Sequence, residues 1–219
     1  MRFGVVAEGV SDFLILQAVV GIVDPDIELQ RLQPDTTLVS GFPNGWKGVR
    51  AWCQENGGKL KALLRGVKGQ ELDGLIVHAD CSMADKVEAE RACPPASDTA
   101  DALRSVMESW LGLSPLPPWL VLATPSMTSV TWIVAALDPS YEPTCEHIEC
   151  DLKAEDELKK RKLVRVRNGS VKSPKRVFPP LLAEMCSRWE EVKGLCTEAA
   201  RCESELSQAV EAVRSGNGP

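Results

Sequence analysis

The sequence predicts an α/β protein with a mostly parallel sheet, flanking helices and a helical C-terminal extension. Three short apolar runs, each typical of a buried strand, alternate with segments of helical periodicity and cover residues 2–7, 72–79 and 119–124. The first two runs end in acidic residues, Glu8 and Asp80. Strands that alternate with helices form a Rossmann-like parallel sheet, whose ligands bind outside the carboxyl ends of the strands. Glu8 and Asp80 are therefore the first candidates for a functional site.

The first half of the chain supplies the elements between these strands. A glycine and a serine after the first strand predict a turn and then a helix that runs from residue 11 to about residue 22. A weak strand is expected over residues 27–32. Helical spacing of apolar residues over 46–67, interrupted at Asn56-Gly57-Gly58, predicts two helices or one broken helix.

The second half of the chain is expected to be mainly helical. Residues 81–97 are polar and predict a loop that contains at most a turn of helix. Apolar residues on one face predict a helix over 98–111, and the Ser/Thr-rich turn before residues 130–137 favours a short helix there. Helices over 180–193 and 196–213 are expected to end the chain.

Length and composition limit the domain organisation and the class of protein. A chain of 219 residues with 44% hydrophobic composition can bury one ordinary core. We expect residues 1–140 to form the α/β domain, and residues 141–219 to add a basic segment and C-terminal helices packed on it. A net charge of -6 argues against coating nucleic acid by bulk charge. Because the sequence has neither a membrane-length apolar run nor a signal-peptide pattern, a cytoplasmic protein without a membrane partner is expected.

The eight cysteines of the chain are expected to be reduced thiols that pack as small hydrophobic side chains. One cluster, Cys145-Glu146-His147-Ile148-Glu149-Cys150, contains metal-ligating residue types and could be joined by His78 and Cys81. It lacks the paired Cys-x-x-Cys spacing of structural zinc sites, so a zinc site remains only an alternative.

Basic residues are concentrated between residues 155 and 176 of this otherwise acidic chain. Such a segment is either a solvated helix and loop or a surface that contacts a phosphate backbone. The candidates for nucleic-acid contact are Lys159, Lys160, Arg161, Lys162, Lys172, Lys175 and Arg176.

The motifs around the two acidic strand ends resemble those of the TOPRIM domain, which occurs in topoisomerases, primases and OLD-type nucleases. Val6-Ala7-Glu8-Gly9 is similar to the first motif, a glutamate-glycine pair after the first strand. His78-Ala79-Asp80-Cys81-Ser82 is similar to the second, an Asp-x-Asp after the central strand. Together with Gly45-Trp46-Lys47, residues 98–104 and residues 125–132, these motifs make the chain similar to a bacterial family of stand-alone TOPRIM proteins.

The resemblance covers about residues 2–140 and implies a Rossmann-like TOPRIM fold with a Mg²⁺- or Mn²⁺-dependent, nuclease-like site. By this resemblance Glu8, Asp80 and Asp12 would be catalytic, and Glu8 and Asp80, with Asp85, would hold the metal. Such metal ions bind carboxylates and bridge phosphate oxygens. The resemblance also implies a nucleic-acid substrate, with DNA favoured over RNA, and an ATPase partner in a phage-defence or DNA-processing system.

Two residues depart from the family pattern. Ser82 occupies the position of the second acid of the Asp-x-Asp pair, and Val130 occupies the position where a glutamate is expected. A serine hydroxyl is a weak ligand and a valine side chain offers no ligand atom. Three hypotheses therefore stay open: a metal-dependent nuclease, a catalytically weakened TOPRIM module that binds nucleic acid or a protein partner, and a small-molecule-binding or structural α/β domain.

Overall fold

The computed structural model of the protein contains a four-stranded, all-parallel sheet, which confirms the predicted α/β class. The structure describes residues 1–34, 42–66, 71–142, 147–151, 153–167, 170–171 and 174–219. The sheet is formed by β1 (Arg2–Val6), β2 (Glu28–Gln33), β3 (Gly74–His78) and β4 (Leu120–Ala123), in the order β2-β1-β3-β4.

The order of the strands places a change of winding direction at the centre of the sheet. The chain passes from β1 to β2 at one edge, and then returns past β1 to form β3 on its other side. β1 and β3 pair directly, with Val5 opposite Ile76. Their carboxyl ends therefore flank the point at which a parallel sheet opens a crevice for ligands.

Five helices cover one face of the sheet. They are α1 (Val10–Val23), α5 (Val130–Leu137), α7 (Pro174–Ser187), α8 (Trp189–Leu195) and α9 (Thr197–Arg214). Their buried side chains form one apolar cluster with Val5 and Ile76 of the sheet. Within it, the rings of Trp132 and Trp189 meet edge to face, with centroids 5.8 Å apart. The C-terminal helices thus share the core of the α/β domain.

The opposite face carries the remaining helices of the α/β domain. They are α2 (Trp46–Asn56), a 3₁₀ turn (Gly57–Lys59), α3 (Leu60–Arg65), a 3₁₀ helix (Cys81–Val87) and α4 (Ala96–Leu111). The break predicted at residues 56–58 is confirmed, and it lies against the end of α4. A Cβ atom on Gly57 would lie 2.1 Å from the carbonyl oxygen of Leu111, so only glycine fits there.

Three short elements and a 3₁₀ turn (Ile148–Cys150) complete the described secondary structure. α6 (Ala154–Lys160) lies in the basic segment, and β5 (Val166–Arg167) pairs antiparallel with β6 (Ser170–Val171). Within the described ranges, no helix combines the length and the apolar character needed to cross a membrane.

The ends of some helices differ from the sequence prediction, because contacts between residues distant in sequence determine them. The helix expected over residues 180–193 consists of α7 and α8, separated at Arg188. The guanidinium of Arg188 donates a hydrogen bond of 2.6 Å to the carbonyl oxygen of Ala136 in α5. The loop predicted after β3 begins with a 3₁₀ helix, so the backbone turns immediately after Asp80.

The expectation that all cysteines are reduced is wrong, because Cys93 and Cys150 form a disulfide. These residues are 57 positions apart, and the approach of their loops is not visible in the spacing of cysteines. Of the other cysteines among the described residues, Cys53, Cys81, Cys186, Cys196 and Cys202 are free, and all but Cys186 are buried. Cys145 lies outside the described residues. With its sulfur bonded to Cys93, Cys150 offers no thiolate for the alternative zinc cluster.

Candidate metal centre

The two strand-end acids meet at the change of winding direction between β1 and β3. Glu8 follows β1, and Asp80 lies two residues beyond the end of β3. The backbone N–H of Asp80 donates a hydrogen bond of 2.9 Å to Oε1 of Glu8. The structure therefore brings together the two carboxylates that the sequence predicts as site residues, although they lie 72 positions apart.

Asp12 joins them from the first turn of α1. Its side chain is buried, with 8% of the residue exposed. The hydroxyl of Ser129 donates to Oδ1 of Asp12 at 3.0 Å, and the backbone N–H of Ser129 donates to Oδ1 of Asp80, also at 3.0 Å. Ser129 precedes α5, and it fixes both aspartates at once. Sequence reasoning missed this role: a serine before a helix suggests a cap, but the Ser129 hydroxyl does not cap α5 and donates to Asp12 instead.

His78 is the fourth member of the cluster, and the sequence had assigned it only to the alternative zinc site. It ends β3 and is fully buried. Its Nε2 lies 3.3 Å from Oδ1 of Asp80, an ion-pair distance without hydrogen-bond geometry. Neither ring nitrogen has a hydrogen-bond partner among the residues that the structure describes. The i, i+2 spacing of His78 and Asp80 is the sequence feature that could have indicated that His78 lies beside Asp80, since alternate strand residues point to one face.

Asp12, His78 and Asp80 are arranged as a group that could hold a metal ion. Each offers one ligand atom, and these atoms all lie within 4.8 Å of one another. The side chain of Glu8 adjoins this group through its contact with Asp80. A cluster of carboxylates with one imidazole is a donor set used for divalent metal ions.

Two carboxylates of the cluster, those of Glu8 and Asp12, bind protons unusually tightly. Burial raises the pKa of Glu8 to about 8, and the negative charges of Asp80 and Asp12 act in the same direction. Burial also raises the pKa of Asp12, and the charge of Asp80 again adds to the shift. A cation placed among these groups would relieve both the repulsion and the desolvation of the charged carboxylates.

The imidazole of His78 carries positive charge in the metal-free protein. Burial alone would lower its pKa, but the contact with Asp80 and the charges of Asp12, Asp80 and Glu8 outweigh burial and raise the pKa to about 9. Near neutral pH the imidazolium therefore balances part of the negative charge of the cluster.

The N-terminal ends of three helices lie beside the cluster. α1 begins directly after Glu8 and Gly9, and Asp80 accepts a hydrogen bond from Ser129 at the start of α5. The N–H of Gly45, which precedes α2, donates to the carbonyl oxygen of Glu8 at 2.9 Å. Gly45 has a φ of 79°, a conformation that favours glycine, and a Cβ atom at this position would lie 3.9 Å from Oε2 of Glu8. Helix N-termini attract anions, so a phosphate group would be favoured at this edge.

The other residues that the resemblance singles out lie in different surroundings. The side chain of Asp85 is 59% exposed and pairs with Arg91 at 2.8 Å, so the structure does not bring it to the cluster. Ser82 is exposed, and its N–H donates to the carbonyl oxygen of Met127. Val130 is buried as the first residue of α5, next to Ser129. The cluster thus has an imidazole but lacks the two further carboxylates of the family pattern.

The basic segment lies largely among acidic side chains. Lys159 pairs with Asp156 at 3.8 Å and Lys160 with Glu157 at 3.4 Å, while Arg161 pairs with both Glu157 and Asp138. The other predicted contact residues, Lys162, Lys175 and Arg176, are exposed, and Lys172 lies outside the described residues. Carboxylates therefore offset a large part of the positive charge of α6.

Glu149 supports the loop that leads to the cluster. Its carboxylate accepts hydrogen bonds from the N–H and the hydroxyl of Thr197 at 2.6 and 2.7 Å, and from the N–H of Glu198 at 3.0 Å. These bonds satisfy the free N–H groups at the start of α9. The carbonyl oxygen of Glu149 accepts a hydrogen bond of 2.5 Å from the hydroxyl of Ser126, three residues before Ser129. Glu149 is thus a structural cap that connects α9 with the turn carrying Ser129.

The cluster is therefore assembled from the ends of β1 and β3, the first turn of α1 and the turn before α5. Glu8, Asp12 and Asp80 were predicted from the sequence, whereas His78 and Ser129 emerge from the packing of the sheet. Compared with known proteins, the chain matches none of the protein-family models, curated proteins or solved structures searched.

Proposed function

We propose that the protein is a divalent-metal-dependent phosphoryl-transfer protein of the TOPRIM type that acts on nucleic acid. One observation carries this proposal: Asp12, His78 and Asp80 offer ligand atoms within 4.8 Å of one another, beside Glu8 and three helix N-termini. The resemblance of the acidic motifs to TOPRIM motifs supports phosphoryl transfer as the reaction class. It also favours DNA as substrate and an ATPase partner in a cytoplasmic defence or DNA-processing system.

The donor set fits a divalent cation. The buried carboxylate of Asp12, the partly buried carboxylate of Asp80 and an imidazole without hydrogen-bond partners in the described chain lie close together, and positive charge would relieve the repulsion between the carboxylates. The carboxylates of Asp12 and Asp80 would hold the ion, with Glu8 beside them. When bound, such an ion offsets charge on a phosphate oxygen and lowers the pKa of coordinated water.

The residues of the chain have separate tasks in this proposal. Glu8 is held by the N–H of Asp80 at Oε1, and its Oε2 remains available to accept or donate a proton during phosphodiester cleavage. The N-termini of α1 and α2 would bind and orient phosphate oxygens. Ser129 keeps Asp12 and Asp80 at a fixed separation, because it donates to both carboxylates.

The test is cleavage of plasmid and single-stranded DNA by the purified chain with Mg²⁺ or Mn²⁺. We expect metal-dependent cleavage that falls by about a hundredfold or more in Glu8→Gln and Asp80→Asn. Glu55→Gln is the matched control, because Glu55 is an exposed acid of α2. Asp85→Asn tests whether that acid contributes despite its pairing with Arg91. Absence of cleavage with every ion, or cleavage that persists in both cluster variants, would refute the enzymatic proposal.

A binding module without catalysis is the second candidate, because Ser82 and Val130 replace two expected carboxylates. This candidate predicts DNA binding without cleavage. Charge reversal at Lys175 and Arg176 should weaken binding and flatten its dependence on salt concentration, because fewer counterions are released. Reversal at Lys160 should have a smaller effect, since Glu157 already pairs with it. Equal affinity in all variants would show that the basic segment is a solvated surface.

A further inference from the structure

We propose that His78 is a metal ligand and that, with Asp12 and Asp80, it forms a mixed nitrogen and oxygen site that prefers a first-row transition-metal ion such as Mn²⁺ or Zn²⁺ over Mg²⁺. The inference rests on the proposed function only in placing a metal ion at this cluster. It changes the identity of the ion and assigns a ligand role to a residue that is not one of the acids of the motifs.

The first support is the state of the imidazole. His78 is fully buried, and both of its ring nitrogens lack a hydrogen-bond partner in the described part of the chain. Buried polar groups are nearly always paired, because an unsatisfied donor or acceptor loses its bonds to water without replacement. Asp80 faces Nε2 only as an ion-pair partner at 3.3 Å, so a metal ion at a ring nitrogen would supply the missing partner.

The second support is the distance from the ring nitrogen to the other ligand atoms. Nε2 lies 3.3 Å from Oδ1 of Asp80, and Asp12 completes a group whose ligand atoms are all within 4.8 Å of one another. Nitrogen and oxygen ligands lie about 2.0–2.2 Å from zinc, so two ligands of one ion can be about 4 Å apart. The observed spacing therefore needs only small side-chain adjustments to close around an ion.

The third support is the chemistry of the donors. Mg²⁺ prefers an all-oxygen environment and retains several waters, whereas imidazole is a common ligand of zinc and other transition-metal ions. Ser82 and Val130 remove two carboxylates from the family pattern, while His78 adds a nitrogen. Affinity for such a site generally rises from Mn²⁺ through Co²⁺, with Zn²⁺ also above Mn²⁺.

The chain offers a direct measurement, because it contains only two histidines, His78 and His147. In the EDTA-treated protein with ¹⁵N-labelled histidine, Zn²⁺ should shift the ring nitrogen signals of His78. The signals of the exposed His147 serve as an internal control, and His147→Gln assigns the two rings. An equal concentration of Mg²⁺ should leave the His78 signals in place.

Calorimetric titration with Mn²⁺, Zn²⁺ and Mg²⁺ measures which of these ions the site binds most tightly. We expect the wild-type protein to bind Mn²⁺ about tenfold or more tightly than Mg²⁺, and His78→Gln to lose about tenfold or more in Mn²⁺ affinity. His147→Gln should bind both ions as the wild-type protein does. The NMR measurement needs no substitution in the cluster, so it decides the matter even if His78→Gln fails to fold.

Three outcomes separate this inference from the proposed function. Zn²⁺ that leaves the His78 signals unmoved, or equal affinity for Mn²⁺ and Mg²⁺, would overturn the inference and identify His78 as a counter-ion only. Movement of the His78 signals in a protein that never cleaves DNA would support the metal site and refute the nuclease. Cleavage with Mg²⁺ and unmoved His78 signals would support the nuclease and refute the ligand role of His78.

Discussion

Raising the pH of the metal-free protein from about 7 to about 8.5 is expected to lower its free energy of unfolding. The reason lies in His78, whose pKa rises from 6.5 to about 9 on folding because nearby carboxylates outweigh the opposing effect of burial. The folded state then retains a proton that the unfolded state has already released. The stability from this proton is complete below a pH of about 6.5, and is lost as the pH rises towards about 9.

The magnitude follows from the linkage between proton binding and folding. Each additional proton held by the folded state changes the free energy of unfolding by about 1.4 kcal/mol per pH unit. Over about 1.5 pH units His78 therefore accounts for about 2 kcal/mol. Glu8 acts with the same sign, since burial raises its pKa from 4.5 to about 8 and the folded carboxyl keeps its proton to higher pH. The loss is large relative to a typical domain stability of about 5–15 kcal/mol.

The assay is urea unfolding in EDTA at several pH values across this range. The range stops near a pH of about 8.5, because buried thiols such as Cys53, whose pKa rises from 9.0 to about 12, add a similar dependence at higher pH. His78→Gln should reduce the slope by about 1.4 kcal/mol per pH unit. A wild-type stability that is constant or increases across the range, or an unchanged slope in His78→Gln, would refute the electrostatic account of the cluster.

Three further predictions concern the Glu149 cap of α9, the serine at position 82 and the close approach of Gly57 to the end of α4. Glu149→Ala removes three hydrogen bonds at the start of α9 and should lower the free energy of unfolding by about 2 kcal/mol in urea. An unchanged urea midpoint would show that water replaces the cap. Ser82→Asp should raise the affinity for divalent ions about tenfold in calorimetry, since a carboxylate adds negative charge near the cluster; no gain would place residue 82 outside ligand distance. Gly57→Ala should lower the melting temperature, because its Cβ would lie 2.1 Å from the carbonyl oxygen of Leu111. Gly58→Ala is the matched control, with no atom within 4 Å, and equal melting temperatures would contradict the predicted clash.

The fold was predictable from the sequence because its central strands are buried on both faces. All residues of β3 and β4 are buried, and such strands appear in a sequence as continuous apolar runs. The break between α2 and α3 was predictable for a similarly local reason, the pair of glycines after Asn56. By contrast, the disulfide between Cys93 and Cys150 and the break at Arg188 depend on contacts between distant segments.

The site was predictable only where it coincides with strand ends. Glu8 and Asp80 follow apolar runs, so topology alone places them at one edge. In the sequence, His78 looks like part of a buried strand. It comes close to three carboxylates only when β1 and β3 pair. Ser129 contacts Asp12 across 117 residues of sequence. No local periodicity encodes such a contact.

The charge balance of the cluster explains why an imidazole is suited to this position. In the metal-free protein, protonated His78 is the cation that makes the burial of Asp12 beside Asp80 tolerable. A metal ion would take over that task, but only after the ring has lost its proton, because a nitrogen that carries a proton cannot ligate. Metal and proton therefore compete for one nitrogen, and the same residue stabilises the site in both states. An acidic residue in place of His78 could serve only the metal-bound state, and would leave the empty cluster with an uncompensated buried charge.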